Sequence, residues 1–209
     1  MTLVQGTPEW FAARRGNASA SRIADIIAKT KSGYSASREN YLTELVLERF
    51  GIEPEGFTSA AMEWGTQTEP LARLAHEANS GNMVLEVGYI LHPRIAHSGA
   101  SPDGMTGDGL LEIKCPNTKT HFEYLLSEEV PQKYKPQMAW QMACTGCDWV
   151  DFVSFDPRAP EGLQYFCKRY DRDDDYIAML EGEVVEFLKE VDLKFEQLSK
   201  KLNELKGKQ

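Results

Sequence analysis

Ser101-Pro102-Asp103-Gly104, followed by Leu111-Glu112-Ile113-Lys114-Cys115-Pro116, is the stretch from which the rest of the sequence can be read. Side chains alternate across a strand, so Leu110, Glu112 and Lys114 share one face and Leu111, Ile113 and Cys115 the other. The second face suits a core. The first sets a carboxylate beside an ammonium on a strand that otherwise reads as buried, which is costly unless the charges are paired or bind a metal. Asp103 opens the turn that leads into this strand, so folding back brings it towards Glu112. Two carboxylates and a lysine suit a hard cation. Magnesium needs only one or two protein carboxylates beside waters and a substrate phosphate. Such an ion lowers the pKa of a bound water and stabilises charge on the phosphate. The lysine can orient the water or share in neutralising the developing charge. The chemistry this points to is hydrolysis of a phosphodiester. The alternative is an ordinary Glu–Lys or Asp–Lys pair at a strand end, because short D…ExK patterns arise by chance.

Around this stretch the middle of the chain reads as strands, at residues 83–91, 95–101 and 110–115. The glycines from Gly104 to Gly109 supply the turn of a hairpin between the last two. Upstream the pattern is helical. Thr7-Pro8-Glu9 reads as a helix start with a hydroxyl cap, Pro in the first turn and an acid near the dipole. Trp10 and Phe11 open that helix, which ends near Gly16, and Trp10 reads as core. Ser19 or Ser21 caps a second helix with Ile23, Ile26 and Ile27 on its apolar face. Residues 29–37 read as a polar loop, 38–50 as a helix stopped by Gly51, and 59–78 as another helix. Downstream, helices are expected at 118–126 and 132–144, strands at 149–155 and 163–170, and one long helix from Asp174 to the end. Helices followed by a strand-rich middle with interposed helices predict an α/β domain, a mixed central sheet flanked by helices. In the tail, Val184, Leu188, Val191, Phe195, Leu198, Leu202 and Leu205 step by four and three, a heptad seam. It fits either a helix laid on its own domain or a contact with a neighbouring subunit.

The 209 residues suit one domain with a real core. No apolar run is long enough to span a membrane. Residues 1–9 lack the basic-then-apolar pattern of a leader, so a cytoplasmic protein is expected. The net charge of −9 disfavours nucleic acid on its face, unless positive groups and metal gather in one channel. Cys144 and Cys147 form a CxxC pair. Cys115 and Cys167 stand apart, and the second close pair that zinc requires is missing. Small apolar residues are the simpler reading.

Further pieces join the central stretch: Trp10-Phe11-Ala12-Ala13-Arg14-Arg15-Gly16, Ser19-Ala20-Ser21, and Trp64-Gly65 with Glu69. Together, in this order and spacing from Gln5 to Glu186, they resemble the phage-lambda-type exonucleases, the YqaJ-like viral recombinase family of the PD-(D/E)XK nucleases. The resemblance implies a restriction-endonuclease-like core over 1–175, with residues 176–209 as a C-terminal helix on the domain or at a subunit interface. It implies magnesium, two ions per site with manganese able to substitute, held by Asp103, Glu112 and the Ile113 carbonyl, with Glu69 as a further acid and Lys114 as the catalytic lysine. Gln137 falls where the family has a glutamine motif facing the active site or DNA. Many relatives carry a tyrosine four residues later, where this chain has Gln141. Arg14, Ser21 and Ser101 resemble the family's pocket for a 5′-terminal phosphate. The substrate implied is linear double-stranded DNA, digested 5′ to 3′ to mononucleotides with a 3′ overhang left for annealing. A ring of three subunits, a single-strand annealing partner and a phage or prophage origin are implied with it. Lys29 and Lys31 are candidates for DNA contact inside the ring.

Two alternatives stand beside this reading. One is a RecB-like nuclease of the Cas4 kind with an iron–sulfur cluster on the four cysteines, against which their spacing argues. The other is a non-catalytic DNA-end-binding module, against which the intact Asp103, Glu112 and Lys114 set argues.

Overall fold

The computed structural model describes residues 3–53 and 59–206. Residues 1–2 of the stretch read for a leader, and the last three of the tail, lie outside these. The elements nearest the deciding stretch are short. Strand β7 (Gly104–Thr106) turns through Gly107, in the left-handed region, into β8 (Gly109–Lys114). The hairpin places Gly104 opposite Leu111. Gly109 and Gly104 have no room for a side chain: a Cβ would strike the Trp149 ring at the first and Val84 at the second.

β8 lies at the centre of a five-stranded sheet ordered β10-β9-β8-β7-β4, where β4 is Val84–Leu85, β9 Trp149–Phe155 and β10 Tyr165–Asp171. It runs antiparallel to β7 and parallel to β9. A parallel neighbour needs a crossover, and helices α5 (Thr118–Ser127) and α6 (Lys135–Thr145) supply it. Asn117 caps α5 and a left-handed Gly146 ends α6. The mixed sheet is the one expected.

Each face of the sheet has its own core. Leu110, Val150 and Phe152 point into the larger core. There they meet Met138 and Met142 of α6, Ile23 and Ile26 of α2 (Ile23–Ile27), Leu45 of α3 (Ala36–Arg49), and Phe187 of α7 (Asp174–Lys206). Leu111, Ile113, Val153 and Phe155 point the other way, onto Ala72 of α4 (Ala60–Ser80). The alternation read from residues 110–115 is therefore the one observed. The long tail helix lies on the domain through Val184, Leu188 and Val191, all buried. Phe195 continues the seam by meeting Phe50, with ring centroids 4.6 Å apart. Leu198, Leu202 and Leu205 are exposed.

Four sequence expectations need correction. Residues 83–91 are not one strand: β4 joins the main sheet, while β5 (Ile90–Leu91) joins a three-stranded sheet with β1 (Ala18–Ser19) and β6 (Ser98–Ala100). The hairpin partner of β8 is consequently β7, and Gly104 is a strand residue rather than turn. Residues 29–37 contain a small hairpin of β2 (Lys29–Thr30) and β3 (Gly33–Tyr34). Neither Ser19 nor Ser21 caps α2. Ala20–Arg22 is a 3-10 turn and α2 begins only at Ile23, so Ser21 does not stand at the start of that helix.

Candidate active site

A cavity of about 200 Å³ opens at the edge of the central hairpin, and every site residue expected from the sequence lines it. Asp103, Glu112, Ile113 and Lys114 come from the hairpin, Glu69 from α4, Gln137 from α6, Arg14 from the end of α1 (Pro8–Arg14), Ser21 from the 3-10 turn, and Ser101 from the loop after β6. Gln5 lines it too. Its amide donates to the carbonyls of Val87 at 2.9 Å and Pro102 at 2.7 Å, which fixes the approach to Asp103.

The two central carboxylates are held differently. Asp103 Oδ2 accepts the Ile113 N–H at 2.6 Å, and the Asp103 N–H donates to the Leu111 carbonyl at 3.0 Å, so the side chain is tied to the strand beside Glu112. Among the described residues its other oxygen has no hydrogen-bond partner. Glu112 is fully buried. Gln137 donates to its Oε1 and Gln141 to its Oε2, each at 2.6 Å, and Lys114 pairs with Oε1. The charge that looked costly on this strand is thus paired and clamped.

Burial, and then the Glu112 charge, pushes the Asp103 carboxyl well above its ordinary range, although Lys114 and the Ile113 N–H act the other way. Burial also raises Glu69, against the pull of Arg73, whose guanidinium it meets at 2.8 Å. Burial alone would depress Lys114. Glu112 and then Asp103 outweigh it, and the ammonium stands above its usual pKa. The donor set of two carboxylates and the Ile113 carbonyl is all oxygen and fits a hard divalent ion. The cavity exceeds by far the ~10–15 Å³ that one water requires, leaving space for waters and a phosphate.

The lining also carries an arginine. Burial lowers the pKa of Arg14, and among the described residues Arg14 forms no ion pair. Its guanidinium lies over the Trp10 ring, 4.1 Å from the centroid. Trp10 is core-like at 8% exposure, as expected, but its indole N–H also donates to Ser101 Oγ at 3.0 Å. Ser21 is exposed on the rim. Lys29, a candidate DNA contact, is instead paired with Glu183 at 2.7 Å.

Gln141 and Gln5 were missed in the sequence. Gln141 carried a readable signal, since residues four apart on a helix share a face and Gln137 was already placed. Gln5 carried none. The four cysteines separate: Cys144 and Cys147 pack with the larger core, Cys115 and Cys167 with the smaller, so the iron–sulfur alternative lacks its ligand cluster. Away from the cavity, His76, Asp151 and Cys167 place potential metal ligands within 4.8 Å of one another. Asp151 is there held by Arg169 through two bonds of 2.9 and 3.1 Å, and His76 Nδ1 bonds Tyr165 at 2.9 Å, which makes a buried polar network sufficient.

The family described as the YqaJ-like viral recombinase domain matches residues 9–148. Among solved structures, an alkaline exonuclease from Laribacter hongkongensis, LHK-Exo, superimposes with a TM-score of 0.89 at 49% identity, covering 95% of this chain and 100% of that one. The same values hold for LHK-Exo in complex with dAMP. A phage-related exonuclease from Haemophilus somnus 129PT shares the fold, with a TM-score of 0.64 at 14% identity, over 89% of this chain and 96% of that one. No curated protein sequence matches.

Proposed function

The chain belongs to the YqaJ-like viral recombinase family, and from that membership and the cavity we propose that it is a magnesium-dependent exonuclease running 5′ to 3′ on linear double-stranded DNA. The observation that carries this reading is the continuity of one cavity. The hydrolytic groups, a half-buried arginine and two serines all line it. A terminal phosphomonoester carries close to two negative charges and an internal diester one. The fork of Arg14 and the hydroxyls of Ser21 and Ser101 would favour the former.

Asp103, Glu112 and the Ile113 carbonyl would hold magnesium, with Glu69, which lines the same cavity, as a further acid of a two-ion site. Manganese could substitute. The ion, when bound, supplies a more acidic water and charge stabilisation at the phosphate. Lys114 would orient the attacking water and offset charge on the phosphate. Gln137 and Gln141 keep Glu112 in one rotamer. Products would be mononucleotides and a 3′ single strand for an annealing protein. The LHK-Exo complex with dAMP supports a mononucleotide-sized product site.

This reading extends to a closed ring of three subunits and to a phage-derived protein acting in the host cytoplasm, with 1–175 as the nuclease domain and 176–209 as its helical extension. No helix among the described residues is long and apolar enough to cross a membrane. Digestion of end-labelled linear duplex, with and without a 5′-phosphate and with magnesium or chelator, tests it. Rapid magnesium-dependent loss of the 5′-phosphorylated strand is expected, with Asp103→Ala inactive yet folded. An active Asp103→Ala overturns the assignment of the metal site. Light scattering should give a mass near three chains.

A further inference from the structure

Within that 5′-phosphate reading, on which it rests, we infer that Trp10 is a positioning residue that sets Arg14 and Ser101 for the terminal phosphate. One side chain reaches both. Trp10 and Arg14 are four apart on α1 and so share a face, and the guanidinium sits 4.1 Å over the ring. The indole N–H crosses to Ser101 Oγ at 3.0 Å, between residues 91 apart in sequence. Phe11 meets the Trp10 ring edge-on at 4.9 Å and steadies it.

Each contact leaves a phosphate donor unspent. A carboxylate partner would neutralise Arg14 and occupy its fork. The ring face stabilises the cation from above and leaves the in-plane N–H groups free. Indole nitrogen is a donor only, so Ser101 must accept from it. The Ser101 hydroxyl proton then has no use towards Trp10 and is available to a phosphate oxygen. Ser101 leads through Pro102 to Asp103, and Gln5 holds the Pro102 carbonyl. Trp10 thereby sets the distance between the end-recognition groups and the hydrolytic ones.

The measurement is the ratio of kcat/KM for 5′-phosphorylated over 5′-hydroxyl duplex, taken on the full chain with magnesium. Trp10→Phe keeps a ring beneath Arg14 and removes the N–H. The ratio should fall about three- to tenfold, the range of one hydrogen bond, because the 5′-phosphorylated rate falls more than the 5′-hydroxyl rate. Trp10→Phe combined with Ser101→Ala should be no worse than Ser101→Ala alone, since both remove the same contact. Trp10→Leu, if it folds, should lower the ratio further. An unchanged ratio in Trp10→Phe, equal slowing of both substrates, or additivity with Ser101→Ala overturns the inference. If wild type shows no preference, or Arg14→Ala preserves it, the pocket reading itself fails and takes this inference with it. If Arg14→Ala abolishes the preference and Trp10→Phe does not move it, the pocket stands and only the role of Trp10 falls.

Discussion

Gln141 donates its side-chain amide to Glu112 Oε2 at 2.6 Å, both residues being fully buried. Gln137, one turn earlier, does the same to Oε1. A buried carboxylate oxygen stripped of its donor loses a charge-assisted bond of roughly 1.5–3 kcal/mol. Gln141→Leu should lower unfolding stability by about that amount in urea titrations and slow digestion at saturating substrate. Gln141→Glu should be worse, because it buries a like charge beside Glu112. A fully active Gln141→Leu within about 0.5 kcal/mol of wild type would show the clamp to be idle.

Asp103→Asn separates stability from activity. The Asp103 carboxyl is raised well above its ordinary 3.8, so in the metal-free fold its neutral form is favoured. That contribution is complete below the unfolded value and is lost as pH rises through the folded one. As pH rises through that range the buried carboxyl therefore weakens the apo fold. Asp103→Asn, whose carbonyl can still accept the Ile113 N–H, should melt higher than wild type without metal while losing magnesium-dependent digestion. A lower apo Tm for the variant would contradict the sign.

Magnesium should stabilise more strongly in alkali. On the proposed ligand set the ion competes with the proton of Asp103, so the Tm gain on saturating magnesium should be larger near about pH 9 than near about pH 6. Scanning fluorimetry at the two values measures it. Equal gains at both would remove Asp103 from the titrating ligands.

The tail helix should divide into two halves. Phe187 is fully buried and stacks on Tyr41 at 5.5 Å, so Phe187→Ala should cost about 3–5 kcal/mol. Leu202 is exposed, and Leu202→Ala should stay within about 0.5 kcal/mol of wild type. Denaturant unfolding of both variants decides it, and a large loss for Leu202→Ala would mean that its half is covered in solution.

The proposed hydrolytic group of Asp103, Glu112 and Lys114 is legible in the sequence because its parts are local. Glu112 and Lys114 alternate on one strand, and Asp103 lies one turn away. The proposed end-recognition group is not local. Trp10 reads as an ordinary core residue because its partner, Ser101, is remote in the chain, and no periodicity marks a bond between them. Residues 83–91 look like one strand because both halves are apolar, yet the chain changes sheets at Gly88, where a Cβ would collide with the backbone of Leu3. The hairpin at 29–34 is masked by its polar composition: both strands are two residues long and bury nothing.

The bond from Ile113 to Asp103 spans only ten residues, and that shortness bears on when the site matures. A hairpin closes in about 1–10 μs, and closing so short a loop costs little entropy. The parallel pairing of β8 with β9 must wait until the crossover through α5 and α6 has been made, and non-local pairings of this kind form slowly. During folding the acids therefore meet before the glutamines that clamp Glu112 arrive, and before Ser101 can reach Trp10. On the proposed assignment the site is complete only once α6 and α1 have docked, not when the acids meet.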